Sequence, residues 1–207
     1  MSVQINKIDE NTYAIENLED TQIVYELCEL FNIKVRINNN LVIISDVTNI
    51  EPFNKWRTNL PHPKIDYIDA ENVYQCFATT SLYLEKLKLQ FSHLSADNII
   101  VINDTIFIPT NTTDLYPIRN GQITINHPYS QENPYLSLEL KGNDAIPYTV
   151  SFKCFYSSLG LLIYDLLIGL EETDYQKGIL VLYMTKLYWI LYYSLLGDTE
   201  ERFIVGL

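Results

Sequence analysis

Few residues in this sequence have the side chain and spacing that catalysis or ligand binding requires. Two candidates, His93 and Asn98, lie within residues 91–101. His93 could serve as a base, because an imidazole changes its charge near neutral pH. Asn98 carries an amide oxygen that could contact Mg²⁺ or a nucleotide. The pattern around His93 contains no evident carboxylate or nucleophile, so we interpret it as structural or exposed. We interpret Asn98 as a short polar side chain that ties the backbone of its loop, with a remnant nucleotide contact as the alternative.

The remaining histidines and the cysteines predict no metal site. His62 and His127 each lie beside prolines and share no ligand spacing with His93. The three cysteines are widely spaced, form no C-x-x-C pair and lie in apolar sequence. We therefore expect buried, reduced thiols. We predict no catalytic, cofactor-binding or metal-binding residue and no cofactor.

Charge and composition restrict the classes of partner. The 207 residues include 26 acidic and 14 basic side chains, a formal net charge of −12, and 47% are hydrophobic. A surface this acidic repels phosphate backbones and anionic lipid headgroups, so we predict no nucleic acid and no membrane partner. A protein partner, of basic charge, would be steered towards it. Nothing at the N-terminus resembles a signal peptide, so we expect a cytoplasmic protein.

Two apolar segments, residues 157–170 and 179–196, could be mistaken for membrane spans. The first contains Asp165 and is too short to cross a hydrocarbon core, and the second has Lys186 near its middle. We predict that both are helices buried inside a globular lobe. The second has aromatic residues on several faces, so it is either central to the lobe or part of an interface.

The elements that must position these residues fall into two groups. The first fifty residues have strand character at 12–15 and a helix that follows Asn17 with Glu19 and Asp20 in its first turn. A hairpin of residues 34–37 and 41–44 comes next. A connector marked by prolines follows, with a short helix near residues 53–57.

From Asp69 the pattern becomes mainly helical. Asp69 is predicted to cap a helix that ends near Leu89. Residues 99–102 and 106–108 form a second hairpin turned at 103–104, residues 109–134 are typical of a loop, and the last seventy residues are mostly helix.

This order of elements resembles the protein kinase fold, and four local matches support the resemblance. Residues 91–101 resemble the motif H-R-D-L-x-x-x-N with its following strand, and match at Leu94 and Asn98. Residues 137–140 resemble A-P-E and keep only Glu139. Residues 158–160 are similar to the Ser-x-Gly of the central helix of the kinase C-terminal lobe, which gives Gly160. Residues 198–202 are similar to D-P-x-x-R, which gives Arg202.

The resemblance also implies one contact and several losses. In kinases the Glu of A-P-E pairs with the Arg of the last motif, so Glu139 and Arg202 are predicted partners. Phosphoryl transfer needs a glycine loop, a strand lysine, metal-binding Asp and Asn residues, and a base. No glycine precedes residue 121, and no D-F-G is present. The positions that have lost their kinase residues are Glu16 for the strand Lys, His93 for the catalytic Asp, Ser95 for the neighbouring Lys, and Phe155 for the Asp that braces the catalytic loop.

We therefore expect an α+β, protein kinase-like fold with a small strand-rich N-terminal lobe and a mainly helical C-terminal lobe. The predicted divisions are a reduced N-lobe over 1–50, a linker over 51–68 and a C-lobe over 69–207. Function is predicted to be that of a catalytically inactive pseudokinase that binds proteins as a scaffold, regulator or assembly component. Composition rich in Ile, Asn and Tyr, with little Arg or Gly, is typical of AT-rich coding, which would suit a large DNA virus or a compact eukaryotic parasite. A viral protein would lie in the virion or the host cytoplasm.

Two alternatives stay open at this point. An unorthodox nucleotide-binding enzyme of the kinase-like superfamily would need carboxylates such as Asp97, Asp104 or Asp114 to converge near Asn98. An unrelated helical structural protein, such as a viral particle component, would lack the second hairpin and would not bring Glu139 to Arg202.

Overall fold

A computed structural model describes residues 3–142 and 145–206. The strands within these ranges are β1 Gln4–Asp9, β2 Thr12–Glu16, β3 Lys34–Asn38, β4 Leu41–Ser45, β5 Ile50–Pro52, β6 Leu89–Phe91, β7 Ile99–Ile102, β8 Ile106–Pro109, β9 Leu115–Pro117, β10 Gln122–Ile125 and β11 Tyr148–Ser151. The α-helices are α1 Thr21–Leu30, α2 Phe53–Asn59, α3 Tyr67–Lys86, α4 Leu138–Lys141, α5 Cys154–Leu167, α6 Tyr175–Ile179 and α7 Lys186–Leu191, which continues as a π-helix over Tyr192–Leu196. The α+β class is confirmed, and the kinase-like arrangement of lobes stays a prediction.

The contacts divide the described residues into two compact units. The first unit runs to Pro61 and includes Ser95–Asp114, and the second contains His62–Leu94 together with the chain after Asp114. The predicted lobe boundaries at residues 50 and 68 stay a prediction. No helix in the described parts of the chain is long and apolar enough to span a membrane.

The first unit is built on a four-stranded antiparallel sheet in the order β1-β2-β4-β3. Helix α1 packs on β3 and β4 through Val24 and Leu27, which are fully buried. The Asp20 carboxylate accepts hydrogen bonds from the Gln22 and Ile23 N–H groups, so it caps the helix and does not lie in its first turn as predicted.

A second, three-stranded sheet of the first unit has the order β5-β7-β8. Both predicted hairpins, β3–β4 and β7–β8, are confirmed. Asn103 and Asp104 at the β7–β8 turn have φ of 50° and 59°, which Asn and Asp adopt more readily than most residues. The predicted short helix is α2, and its Trp56 ring packs 5.0 Å from the Phe107 ring on β8.

The second unit surrounds α5, which is buried from Cys154 to Leu166. Helix α3 packs against it and is capped by Asp66, with the predicted cap Asp69 in the first turn instead. The prediction that residues 109–134 form a loop is wrong over β9 and β10, which pair with β6 and β11. Their pairing buries Ile123 and Ile125 in a common core.

The predicted continuous buried helix over residues 179–196 is also wrong. The chain leaves α6 through a 3₁₀ turn, and Met184 then adopts a φ of +70° before α7 begins. Val181, Tyr183 and Met184 are exposed at this break. A β-branched, an aromatic and a thioether side chain thus lie on the surface where a buried helix was predicted.

The three cysteines are buried and form no disulfide, as predicted. Cys28 lies in the first unit, and Cys76 and Cys154 lie in the second. Burial raises the pKa of the Cys28 thiol to about 12, and burial also raises the pKa of Cys154.

Candidate functional site

The segment with the motif-like pattern, residues 91–98, belongs to both units. Its first part, through Leu94, lies in the second unit, and its last part, from Ser95, lies in the first. The eight predicted positions divide in the same way: Glu16, Ser95 and Asn98 belong to the first unit, and His93, Glu139, Phe155, Gly160 and Arg202 belong to the second.

Helix α5 holds the first part of the segment by two hydrogen bonds. The Ser158 hydroxyl accepts from the Leu94 N–H at 2.8 Å, and the Cys154 thiol donates to the Ser92 carbonyl at 3.2 Å. On the other side of Leu94, the Asn133 amide donates to its carbonyl at 2.9 Å. The backbone of this buried loop is therefore satisfied by side chains, as burial requires.

Phe155 lies on the same helix and takes no part in these bonds. Its ring is fully buried, as predicted, and faces the Phe91 ring with centroids 6.4 Å apart. The brace that we expected to be missing at Phe155 is thus supplied by residues on either side of it. A Cys and a Ser one helical turn apart lie on the same face of a helix, but the sequence does not indicate what that face contacts.

His93 lies in an aromatic environment. Its Nδ1 and the Ser92 hydroxyl are 3.0 Å apart, and its ring meets the Tyr129 ring edge-on with centroids 4.7 Å apart. The Tyr129 ring also packs on His127, whose ring nitrogens lie 3.1 Å from the Tyr116 hydroxyl. His127 shares no ligand spacing with His93 in the sequence, but both imidazole rings contact Tyr129. These packing contacts favour a structural role for His93.

The last part of the segment forms a 3₁₀ turn, Ala96–Asn98, in the first unit. The Asn98 carbonyl accepts from the Thr110 N–H at 2.8 Å and from the Thr110 hydroxyl at 3.0 Å. The Ser95 carbonyl accepts from the Asn98 N–H at 2.9 Å. The hydrogen bonds that fix this turn therefore run to the Asn98 backbone rather than from its side chain.

Asn98 lines a small polar cavity of about 160 Å³. The described residues that line it are Val3, Asn17, Glu19, Asn98, Thr110, Asn111 and Thr113. Only one of these side chains, Glu19, carries a charge, and it is negative. Glu16 ends strand β2, one residue before Asn17. A cavity with this lining offers amides, hydroxyls and a carboxylate but no cation for a phosphate.

The aspartates near Asn98 in sequence each bond to a different amide. Asp97 accepts from Asn54 at 2.6 Å, and Asp104 accepts from Asn49 at 2.9 Å. Asp114 accepts from Asn111. Among residues 3–142 and 145–206, no three His, Cys, Asp or Glu side chains are grouped so that they could hold a metal ion.

The predicted contact between Glu139 and Arg202 is confirmed. Arg202 Nη1 lies 2.5 Å from Glu139 Oε1, and the Thr199 hydroxyl donates to the same oxygen at 2.6 Å. The Arg202 side chain is 9% exposed and the Glu139 side chain 23%. Burial acts to raise the pKa of the Glu139 carboxyl, but its hydrogen bonds, first of all that from Thr199, and the charge of Arg202 outweigh burial and lower it.

Gly160 allows α5 to approach the π-helical turn closely. A Cβ atom at this position would lie 2.5 Å from Ser194 Cβ and 3.1 Å from Leu195 Cδ2. A carbon atom does not tolerate the shorter distance, so this glycine is required by packing.

A scan against protein-family models finds no match to this chain, and a search of curated proteins finds none either.

Proposed function

We propose that this chain is a catalytically inactive protein of the kinase-like superfamily that acts by binding other proteins. The observation that supports the proposal most strongly is the Glu139–Arg202 ion pair. The two residues are 63 positions apart and were predicted to meet only because their motifs resemble those of kinases. A chance resemblance gives no reason for two such residues to form a hydrogen-bonded, largely buried pair.

The order and packing of elements give further support. In kinases the lysine-bearing strand and the αC helix cooperate, because the lysine pairs with a glutamate of that helix. Here strand β2, which ends at Glu16, is followed directly by α1. The ribbon β7–β8 follows residues 91–98, and the buried helix α5 contains Gly160. The ribbon and the ion pair both count against an unrelated helical protein.

The charge and the volume of the cavity at Asn98 support a loss of activity. Transfer of a phosphoryl group depends on cations that stabilise the phosphates. The described lining of the cavity at Asn98 contributes one carboxylate and no Lys or Arg, and Glu16 would add another negative charge in place of the strand lysine. Ligand pockets commonly enclose about 300–1,000 Å³. The cavity, at about 160 Å³, lies below this range.

Thermal unfolding with and without ATP and Mg²⁺ tests the proposal. A ligand that binds only the folded state stabilises it by RT ln(1 + [L]/Kd), about 2.7 kcal/mol when the ligand is in hundredfold excess over Kd. We expect no change in Tm at about 1 mM ATP with Mg²⁺. Samples with Mg²⁺ alone and with inorganic triphosphate serve as controls. A Mg²⁺-dependent rise in Tm with ATP would contradict the proposal and would call for a direct assay of phosphoryl transfer.

A further inference from the structure

A continuous group of aromatic rings lies on the outside of the last helical segment. It consists of Tyr183, Tyr188, Trp189, Tyr192, Tyr193 and Phe203, and we call this group the aromatic surface. Neighbouring rings in the group have centroids between 4.5 and 6.1 Å apart, so each ring contacts the next. Tyr183 is 60% exposed, and Trp189 and Phe203 are each 47% exposed. Aromatic side chains are enriched in protein interfaces, where they contribute much of the binding energy.

The aromatic surface is external because the backbone orients it outwards. The left-handed residue Met184 ends the 3₁₀ turn, and the Thr185 hydroxyl accepts from the Tyr188 N–H to begin α7. Helix α7 then buries Leu187 and Ile190 on its inner face. While the inner face fills the core, Trp189 and Tyr192 on the outer face remain exposed. A large exposed apolar patch on a folded protein is a mark of an interaction site.

The charges beside the aromatic surface are mostly acidic. Asp198, Glu200 and Glu201 are exposed and lie just before Phe203, which packs on Tyr193. Arg202 points inwards to Glu139 and does not offset them. Basic side chains among the described residues here include Lys186 at the start of α7 and Lys153, which donates to the Glu200 carbonyl. The acidic excess here has the same sign as the net charge of −12 of the whole chain.

Ring faces and carboxylates attract the same chemical group. A guanidinium stacks on Tyr and Trp rings and pairs with carboxylates, and it is more weakly hydrated than an ammonium group. A second copy of this chain would bring its own acidic residues to the contact and be repelled, and so would nucleic acid or an anionic membrane. Charge complementarity therefore selects a basic occupant for the aromatic surface.

We propose that the aromatic surface binds an arginine-rich segment of a partner protein. The inference deepens the proposed function, since it names the surface and the chemistry of the partner. In this arrangement arginine side chains of the segment stack on Trp189 and Tyr192 and pair with Glu200 and Glu201. The rings supply contact area at little cost in conformational entropy, and the carboxylates supply orientation.

The test uses a fluorescently labelled synthetic peptide in which arginine alternates with serine. Its binding to the full chain is measured at physiological salt. We expect saturable binding that becomes about 5- to 30-fold weaker in the Trp189→Ser/Tyr192→Ser variant, the loss expected when stacking worth about 1–2 kcal/mol is removed. The Glu200→Gln/Glu201→Gln variant should also bind more weakly, and a peptide with lysine in place of arginine should bind less well. The matched control is Ile68→Ser/Leu82→Ser, which removes two exposed apolar side chains of α3 and should leave affinity unchanged.

Equal affinity in the Trp189→Ser/Tyr192→Ser variant would overturn the inference, because attraction would then come from overall acidity alone. A dimer in sedimentation that the same variant dissociates would overturn it in favour of a second copy. Co-sedimentation with phosphatidylserine vesicles that the variant abolishes would overturn it in favour of a membrane. The single variant Tyr183→Ser repeats the test if the double variant unfolds early. Binding of ATP would remove the proposed function but would leave these peptide results unaffected, so the two failures are distinguishable.

Discussion

The Leu94 N–H lies in a buried loop, and the Ser158 hydroxyl is its acceptor. Replacing Ser158 by Ala leaves that donor without its partner and should lower the free energy of unfolding by about 1–3 kcal/mol. Ser157→Ala is the matched control, because Ser157 is the preceding residue on α5 and is also buried. Urea unfolding measures both changes.

Hydrogen exchange gives a second reading of the same contact. We expect the Leu94 amide to exchange faster in the Ser158→Ala variant, since this hydrogen bond protects it in the native state. Equal loss of stability in both serine variants, with unchanged protection of Leu94, would show that the hydrogen bond does not hold the loop.

Glu139 provides a prediction of pH dependence. Its pKa is lowered in the folded chain from the ordinary value of 4.5. Its contribution to stability is therefore present above pH 4.5 and is lost as the pH falls through the lower, folded value. At about pH 7, Glu139→Gln should destabilise the fold by roughly 3 kcal/mol, near the lower end of the range for breaking a buried pair, because Glu139 keeps some contact with water.

The stability gap between the wild type and Glu139→Gln should then narrow in acid, as measured by chemical unfolding across a pH series. Glu171→Gln is the control, because the Glu171 side chain is 76% exposed and its ion pair with Lys64 is long, at 3.9 Å. We expect that change to cost under about 0.5 kcal/mol. If the difference in free energy of unfolding between the wild type and Glu139→Gln stayed constant below pH 4.5, the role assigned to the Glu139 charge would be contradicted.

At this scale the sequence predicted some contacts and missed others for a physical reason. Glu139 and Arg202 could be paired because the sequence around each resembles a kinase motif whose partner is known. Ser158 and Cys154 could not be identified as the brace, because a hydroxyl and a thiol in a buried helix carry no sign of what they face. The burial of Phe155 was predictable. That its neighbours on α5 make the hydrogen bonds to the loop was not, because this depends on how the loop packs against the helix.

At the scale of elements, Gly160 controls how closely α5 approaches the π-helical turn. Exchange of Gly for Ala inside a helix ordinarily stabilises it by about 1 kcal/mol. Here the new Cβ would lie 2.5 Å from Ser194 Cβ, so we expect Gly160→Ala to lower Tm and the free energy of unfolding by about 1–3 kcal/mol.

A double variant separates this clash from other effects. Ser194→Gly removes the opposing Cβ, and Gly160→Ala in that background should cost clearly less than it does alone. Gly206→Ala serves as the control, because a Cβ there meets nothing within 4 Å. If Gly160→Ala raised the free energy of unfolding, α5 and the π-helical turn would be able to move apart at no cost in stability.

Hairpins were predictable because their signals are local. Asn103 and Asp104 supply the backbone conformations that the β7–β8 turn needs, and the flanking strands are apolar. Strands β9 and β10 were missed because β9 pairs with β6 and β10 with β11, which are distant in sequence. A short strand among Asn, Thr and Pro residues gains its stability from that distant partner, which local propensity does not contain.

The break in the helix at Met184 was missed because the local sequence does not mark it. Residues 179–196 are mostly apolar, so periodicity gave no boundary, and hydrophobicity did not separate burial from an interface. The structure instead places the rings of this segment outside and its Leu187 and Ile190 inside. A hydrophobic sequence alone does not separate a core helix from an interface.

At the scale of the whole molecule, the net charge of −12 should act against the compact state by self-repulsion. Raising NaCl from about 0.02 M to about 0.2 M screens this repulsion and should raise Tm by a few degrees. The Glu200→Gln/Glu201→Gln variant, with less negative charge, should gain less from salt. A fall in Tm with salt would mean that surface ion pairs such as Lys34–Asp46 outweigh the repulsion.

Each unit contains a buried cysteine whose chemical modification would report that the unit has unfolded. Cys28 is buried in the first unit, and Cys76 and Cys154 are buried in the second. Thiolates are the reactive species, and burial together with a raised pKa keeps Cys28 and Cys154 in the unreactive thiol form. An alkylating reagent therefore modifies these thiols only after the surrounding unit has opened. Peptide mapping of the modified cysteines would show whether the two units unfold together or one before the other.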